Sequence, residues 1–229
     1  MIRIMKENTQ YKLAIFDLDG TLLDTTEGIL LSVKVAIEKM QWKQLDDNVL
    51  KSFIGPPLQE LFIKHFNANE KNAKIAVDIF RSQYENKHLL KAIPYEGIFE
   101  VLELLQKKNI RIAVATYKPE KYAKTILHNL GFEQYVEFLY GADFENKLKK
   151  ADMMKKIISD AGIDSYEEVV MIGDSSHDAL ASEELLVDFI GVLYGFGFKS
   201  PDSLLKYSNI GYAIQPTELV EFIIAHGNI

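Results

Sequence analysis

The run Leu13-Ala-Ile-Phe16, followed at once by Asp17-Leu-Asp19-Gly20, constrains this chain more than any other feature. Four apolar residues that stop abruptly at two acids and a glycine read as a buried strand whose carboxyl end opens into a crevice. Side chains two apart on a strand point the same way, so Asp17 and Asp19 are expected side by side. Like charges at that spacing repel unless a cation or a shared proton relieves them. A plain turn needs only one acid before its glycine. A magnesium ion, with one Asp free to attack phosphorus, would account for the second.

Further apolar runs at residues 110–115, 137–140, 169–172 and 189–193 read as strands. Helical stripes separate most of them: Ile98, Val101, Leu102 and Leu105; Ile126, Leu127 and Leu130, stopped by Gly131; Met153, Met154, Ile157 and Ile158, stopped by Gly162. This βαβ rhythm predicts an α/β fold built on a doubly wound parallel sheet, with a closing helix over residues 217–225. Residues 25–88 break the rhythm with helical stripes and no convincing strand. They predict a small inserted α-helical cap domain over the carboxyl edge of the sheet, spanning 24–91, with the α/β core formed by 1–23 and 92–229. The one strongly marked loop of the insert is Phe53-Ile-Gly55-Pro56-Pro57-Leu58. Phe53, Gly55, Pro56 and Pro57 are expected at a substrate entrance, against the simpler reading of a turn between packed helices.

With 48% hydrophobic residues and a net charge of −7, the chain can build a core and carries no electrostatic footprint for nucleic acid. The absence of cysteine excludes disulfides and thiolate catalysis, and the five scattered histidines lack zinc-site spacing. Neither a signal peptide nor a run approaching the ~18 apolar residues of a membrane span is apparent, so a cytoplasmic protein without membrane contact is expected. Monomer and loose homodimer fit equally.

Three further features fall at the ends of predicted strands or just before a helix. These are Thr116-Tyr117-Lys118-Pro119, the lysines Lys147, Lys149 and Lys150, and Gly173-Asp174-Ser175-Ser176-His177-Asp178. Each alone has a commoner reading: a helix cap, a solvated face, a turn. Their order argues otherwise, since two acids, a hydroxyl, a lysine and two more acids arrive in sequence. The set resembles the haloacid dehalogenase-like (HAD) hydrolase superfamily, in its phosphoglycolate phosphatase-like subgroup with a helical cap, over essentially the whole chain. Residues 191–197, Gly-Val-Leu-Tyr-Gly-Phe-Gly, extend the likeness.

The resemblance implies a Rossmann-like core and a phosphatase of a small phosphorylated metabolite. Asp17 would be the nucleophile forming an aspartyl-phosphate, and Asp19 the general acid and then base. Mg2+ would lie between Asp17, the backbone carbonyl of Asp19, and Asp174, with Asp178 orienting its water or the lysine. Gly20, Thr116, Tyr117 and Lys150 would hold phosphate, with Lys149 as the alternative lysine. Tyr117 stands where many members carry Asn or Ser, and Ala151 replaces a frequent proline. The dehalogenase branch lacks the second Asp of the first motif and is disfavoured. A phosphomutase of the beta-phosphoglucomutase type shares the same core, and a catalytically silent binding module would be expected to have lost a site carboxylate or Thr116. A signalling receiver domain would be about half as long and lack the insert. Phosphoglycolate, nucleotides, sugar phosphates and inorganic pyrophosphate all remain open as substrates.

Overall fold

The computed structural model describes residues 10–55, 57–142 and 148–224. It divides into two compact units, one formed by Met1–Leu23 with Pro94–Ile229 and the other by Asp24–Ile93.

The first unit is built on a six-stranded sheet. Its strands are β1 (Leu13–Phe16), β4 (Arg111–Pro119), β5 (Val136–Ala142), β6 (Val169–Gly173), β7 (Asp188–Val192) and β8 (Gly211–Ala213), in the order β5-β4-β1-β6-β7-β8. All neighbouring pairs are parallel. The chain moves outward from β1 through β4 to β5, then restarts on the other side of β1 with β6. That reversal leaves a crevice at the carboxyl end of β1, where open parallel sheets bind ligands. Phe16 pairs with Val114 of β4 and Ile172 of β6, so Asp17 emerges between Ala115-Thr116 and Gly173-Asp174.

Every residue of β1 is buried, as expected of a central strand covered on both faces. Leu13, Ile15, Ala113, Ala115, Val169 and Met171 pack on one face against Met153, Met154 and Ile157 of α7 (Lys150–Asp160) and Ala181 and Leu185 of α8 (Ser176–Leu185). Helices α5 (Ile98–Lys107) and α6 (Glu120–Asn129) follow the same rhythm, each with an apolar stripe buried. The stops at Gly131 and Gly162 lie at φ 77 and 63, in the left-handed region that glycine enters without strain.

Expected and observed boundaries differ in places. Strand β4 continues through Thr116 to Pro119, past the expected end at Ala115. The closing helix, α9, runs Leu219–Ile224, later than the expected start at Thr217, and Ala225 lies outside the described residues. Strand β8 was not foreseen because Gly-Tyr-Ala has neither length nor apolar periodicity. Among the described residues no helix is long and apolar enough to cross a membrane.

The two-residue strands β2 (Leu23–Asp24) and β3 (Ile93–Pro94) form a separate small sheet. The second unit holds α1 (Thr26–Lys39), α2 (Asp47–Lys51), α3 (Leu58–Phe66) and α4 (Glu70–Gln83), continued by a π-helical turn at Tyr84–His88. Asn69 starts α4 by accepting the Asn72 N–H at 2.8 Å. Its core is aromatic: Trp42 stacks on Phe66 at 4.5 Å, and Phe53 meets Phe62 at 5.3 Å. Phe53 is only 1% exposed, so it fills this core rather than an entrance, correcting the expectation placed on it. Gly55 turns the chain at φ 104 and Pro57 is exposed, while Pro56 lies outside the described residues.

Candidate active site

Beyond β1 the chain turns tightly, with the N–H groups of Thr21, Leu22 and Leu23 all directed at the Leu18 carbonyl. This turn leaves Asp17 and Asp19 on different partners. Asp17 is buried, and its Oδ1 accepts from Lys150 Nζ at 2.6 Å. Lys150 is 2% exposed and also reaches the Ala115 carbonyl at 2.9 Å and Asp178 Oδ1 at 2.8 Å. Lys149 is exposed at the start of α7, so the structure brings Lys150 and not Lys149 to the acids; Lys147 lies outside the described residues.

Strand β6 delivers Asp174, and the first turn of α8 delivers Asp178. Asp174 Oδ2 accepts from the N–H groups of Phe196 and Gly197 at 2.6 and 2.9 Å. Asp178 Oδ2 accepts from the N–H and hydroxyl of Ser175 at 3.1 and 2.6 Å. Asp17, Asp174 and Asp178 thus offer carboxylate oxygens within 4.8 Å of one another. Burial pushes Asp17 up to about 8, with Lys150 pulling it back and the Asp178 and Asp174 charges adding to the rise. Burial and the Asp178 charge likewise raise Asp174 to about 6, against the Gly197 and Phe196 amides. Lys150 is pushed upward by Asp17 and Asp178, which outweigh its own burial. Three crowded hard-oxygen donors with one ammonium among them suit a divalent cation such as Mg2+.

Asp19 stands apart from that group. Both of its carboxylate oxygens accept from Lys118 Nζ, at 2.8 and 2.9 Å. Its expected place among the metal ligands rested on its backbone carbonyl, so this pairing leaves that expectation open. Thr116 is buried and its hydroxyl accepts the Lys118 N–H at 3.1 Å, closing a turn instead of capping α6. Tyr117 is 37% exposed; its hydroxyl accepts from the Lys150 N–H at 3.1 Å and its ring meets His177 edge-on at 5.1 Å. Gly20 was expected to bind phosphate, but its N–H donates to the Leu23 carbonyl at 2.8 Å.

A family model for haloacid dehalogenase-like hydrolases matches residues 14–192, from β1 to the end of β7. The chain belongs to that family. It is 32% identical to a 5'-nucleotidase of Pseudomonas aeruginosa over 218 residues, covering 95% of this chain and 97% of the relative. A phosphoglycolate phosphatase of Colwellia psychrerythraea is 28% identical across 80% of this chain and 85% of its own. A haloacid dehalogenase-like hydrolase from Streptococcus pneumoniae superposes with a TM-score of 0.84 at 26% identity, covering 93% and 98% of the two chains. The chain is a phosphoric monoester hydrolase of the haloacid dehalogenase-like superfamily.

In this member, glycines shape the floor around Asp174. Gly20 sits at φ 89, and a Cβ there would lie 2.8 Å from Asp174 Cγ. A Cβ on Gly195 would run into the Gly20 carbonyl and the Asp174 side chain. Gly195→Ala should therefore displace Asp174 and weaken apparent affinity for a divalent cation at this carboxylate group by roughly 10–100-fold, as loss of a ligand's supporting contacts does. Titrating activity against magnesium checks this; an unchanged midpoint contradicts it.

Sequence reading missed Lys118, Ser175, Phe196 and Gly197 as participants. Only Ser175 left a local signal, a serine three residues before an acid at a helix start.

Proposed function

We propose that this chain is a magnesium-dependent phosphatase of a small phosphorylated metabolite, acting through a phosphorylated Asp17. The observation that carries the reading is the buried Asp17 carboxylate, held 2.6 Å from Lys150 and beside Asp174 and Asp178, with Asp19 two residues further on. Asp17, Asp174 and the adjoining Asp178 would hold the cation. When bound, it would screen the repulsion between the attacking carboxylate and the phosphate dianion.

The chain's own groups supply the rest. An oxygen of Asp17 bonds to phosphorus as the ester P–O bond breaks, and Asp19 gives its proton to the leaving oxygen. Asp19 then takes a proton from water, whose oxygen bonds to phosphorus as the Asp17–phosphorus bond breaks. The alcohol and inorganic phosphate leave, and Asp17 is regenerated. Lys150 offsets negative charge on Asp17 and the transferred group. Since the Thr116 oxygen already accepts from Lys118 N–H, its hydroxyl proton can donate to a phosphate oxygen.

The relatives point to nucleoside monophosphates and phosphoglycolate as substrates to try first, with sugar phosphates beside them. We assign choice among them to the helical unit, read as a cap. A panel of these esters, with p-nitrophenyl phosphate as a general probe, tests the reading. Expected is magnesium-dependent phosphate release, reaching kcat/KM of at least about 10^4 M−1 s−1 on the preferred ester. Release that persists in chelator overturns it, and interconversion of sugar phosphates primed by a bisphosphate would mark a mutase instead.

A further inference from the structure

Lys118 has no part in the reaction as described so far, yet it holds the group expected to move protons. Its ammonium lies 2.8 and 2.9 Å from the two oxygens of Asp19, and its side chain is only 4% exposed against 24% for the carboxylate. An ammonium that deeply covered is costly without a charged partner, which sets this pair apart from the chain's solvated ion pairs. The lysine is itself fixed at its backbone, where its N–H donates to Thr116 Oγ1 within the irregularity between Thr116 and Pro119 in the pairing of β4 with β5. Asp19 lies in the turn beyond β1, and both of its carboxylate oxygens face the Lys118 ammonium. Gripping both oxygens leaves that side chain one orientation.

We propose that Lys118 is a positioning residue, which sets the Asp19 carboxyl group where it exchanges a proton with the leaving oxygen and afterwards with water. The inference rests on the phosphatase reading above. A group that must deliver a proton along one line gains from being held before the substrate arrives. Lys118 touches neither phosphorus nor the nucleophile in this account. Its removal should therefore slow ester cleavage in proportion to how much the leaving group needs a proton.

Phenyl phosphate and p-nitrophenyl phosphate make the test, because they differ little in shape and much in leaving-group basicity. In Lys118→Met, kcat/KM on phenyl phosphate, which reports ester cleavage alone, should fall about 10–100-fold, part of the range a general acid supplies. On p-nitrophenyl phosphate it should fall only a few-fold, because that leaving group needs little help from a proton. Lys118→Arg, which can grip two oxygens, should recover much of the loss. The ratio of the two rates does not depend on how much enzyme is folded, so poor folding of Lys118→Met cannot mask the answer. An equal fall in kcat/KM for both esters overturns the proposal and makes Lys118 structural or phosphate-binding. If Asp17→Asn is inactive but the ratio is that of the unaltered enzyme, only the role of Lys118 falls. If Asp17→Asn keeps full activity, the phosphatase reading falls first.

Discussion

Asp17→Asn is expected to lower kcat/KM for phosphate release by at least ~10^4-fold, the scale on which loss of a nucleophile acts. An amide is the same size as the carboxylate, and its oxygen can still accept from Lys150 Nζ, now 2.6 Å from Asp17 Oδ1. What disappears is the charge that attacks phosphorus and anchors the cation. Stability should move the other way or barely at all. Asp17 is a buried carboxylate pushed up to about 8 from an ordinary 3.8, so its ionised form is a burden on the fold without a cation. Thermal melting in chelator near pH 8 should therefore place the variant level with or above the unaltered protein. A variant that melts well below it would attribute the lost activity to misfolding and remove the support for a nucleophile.

The acids were readable because each ends or follows an apolar strand run, and a parallel sheet brings such ends together from distant parts of the chain. The same logic reached Thr116 and the strands β1, β4, β5, β6 and β7, though not their order in the sheet. Lys118 was not readable as Asp19's partner. It sits 99 residues away, and a lysine after Thr-Tyr and before Pro reads as the entry to a helix. The anchors of Asp174 are backbone amides of Phe196 and Gly197, and amide direction leaves little trace in residue type. Phe53 misled because a Phe beside Gly-Pro-Pro fits a loop tip as well as a core. Phe62 and His65, a turn along α3, decide for the core. Lys150 over Lys149 came down to helix phase, since only the residue starting α7 turns inward to Asp17.

Lys150→Met should combine the loss of activity with a pH-dependent loss of stability. The ammonium serves three buried acceptors: Asp17, Asp178 and the Ala115 carbonyl. A methionine fills similar space and leaves all three without it. Removing one member of a buried charged cluster typically costs about 3–5 kcal/mol, here a fall in Tm of roughly 10 °C. Phosphate release should drop by roughly 10^2–10^3, the value of a fixed positive donor facing developing charge. The pH dependence identifies the cause. Asp17 and Asp174 are both raised, to about 8 and about 6 from 3.8, so each favours folding least when ionised. A carboxylate raised on folding weighs nothing below its unfolded value and destabilises progressively as pH climbs through its folded one. In chelator, the unaltered protein should thus lose stability from about pH 4 to about pH 8. Lys150→Met should go on losing it beyond about pH 8, because the strongest influence holding Asp17 down is gone. Saturating magnesium should narrow the gap at the alkaline end by restoring positive charge among the same oxygens. Adding Asp17→Asn to Lys150→Met should recover part of the melting temperature, since one of the stranded carboxylates is then neutral. Melting curves across this pH range, with and without magnesium, decide the matter. A deficit that stays constant with pH and ignores both the cation and the second substitution would be a packing defect, and the electrostatic account of the cluster would fail.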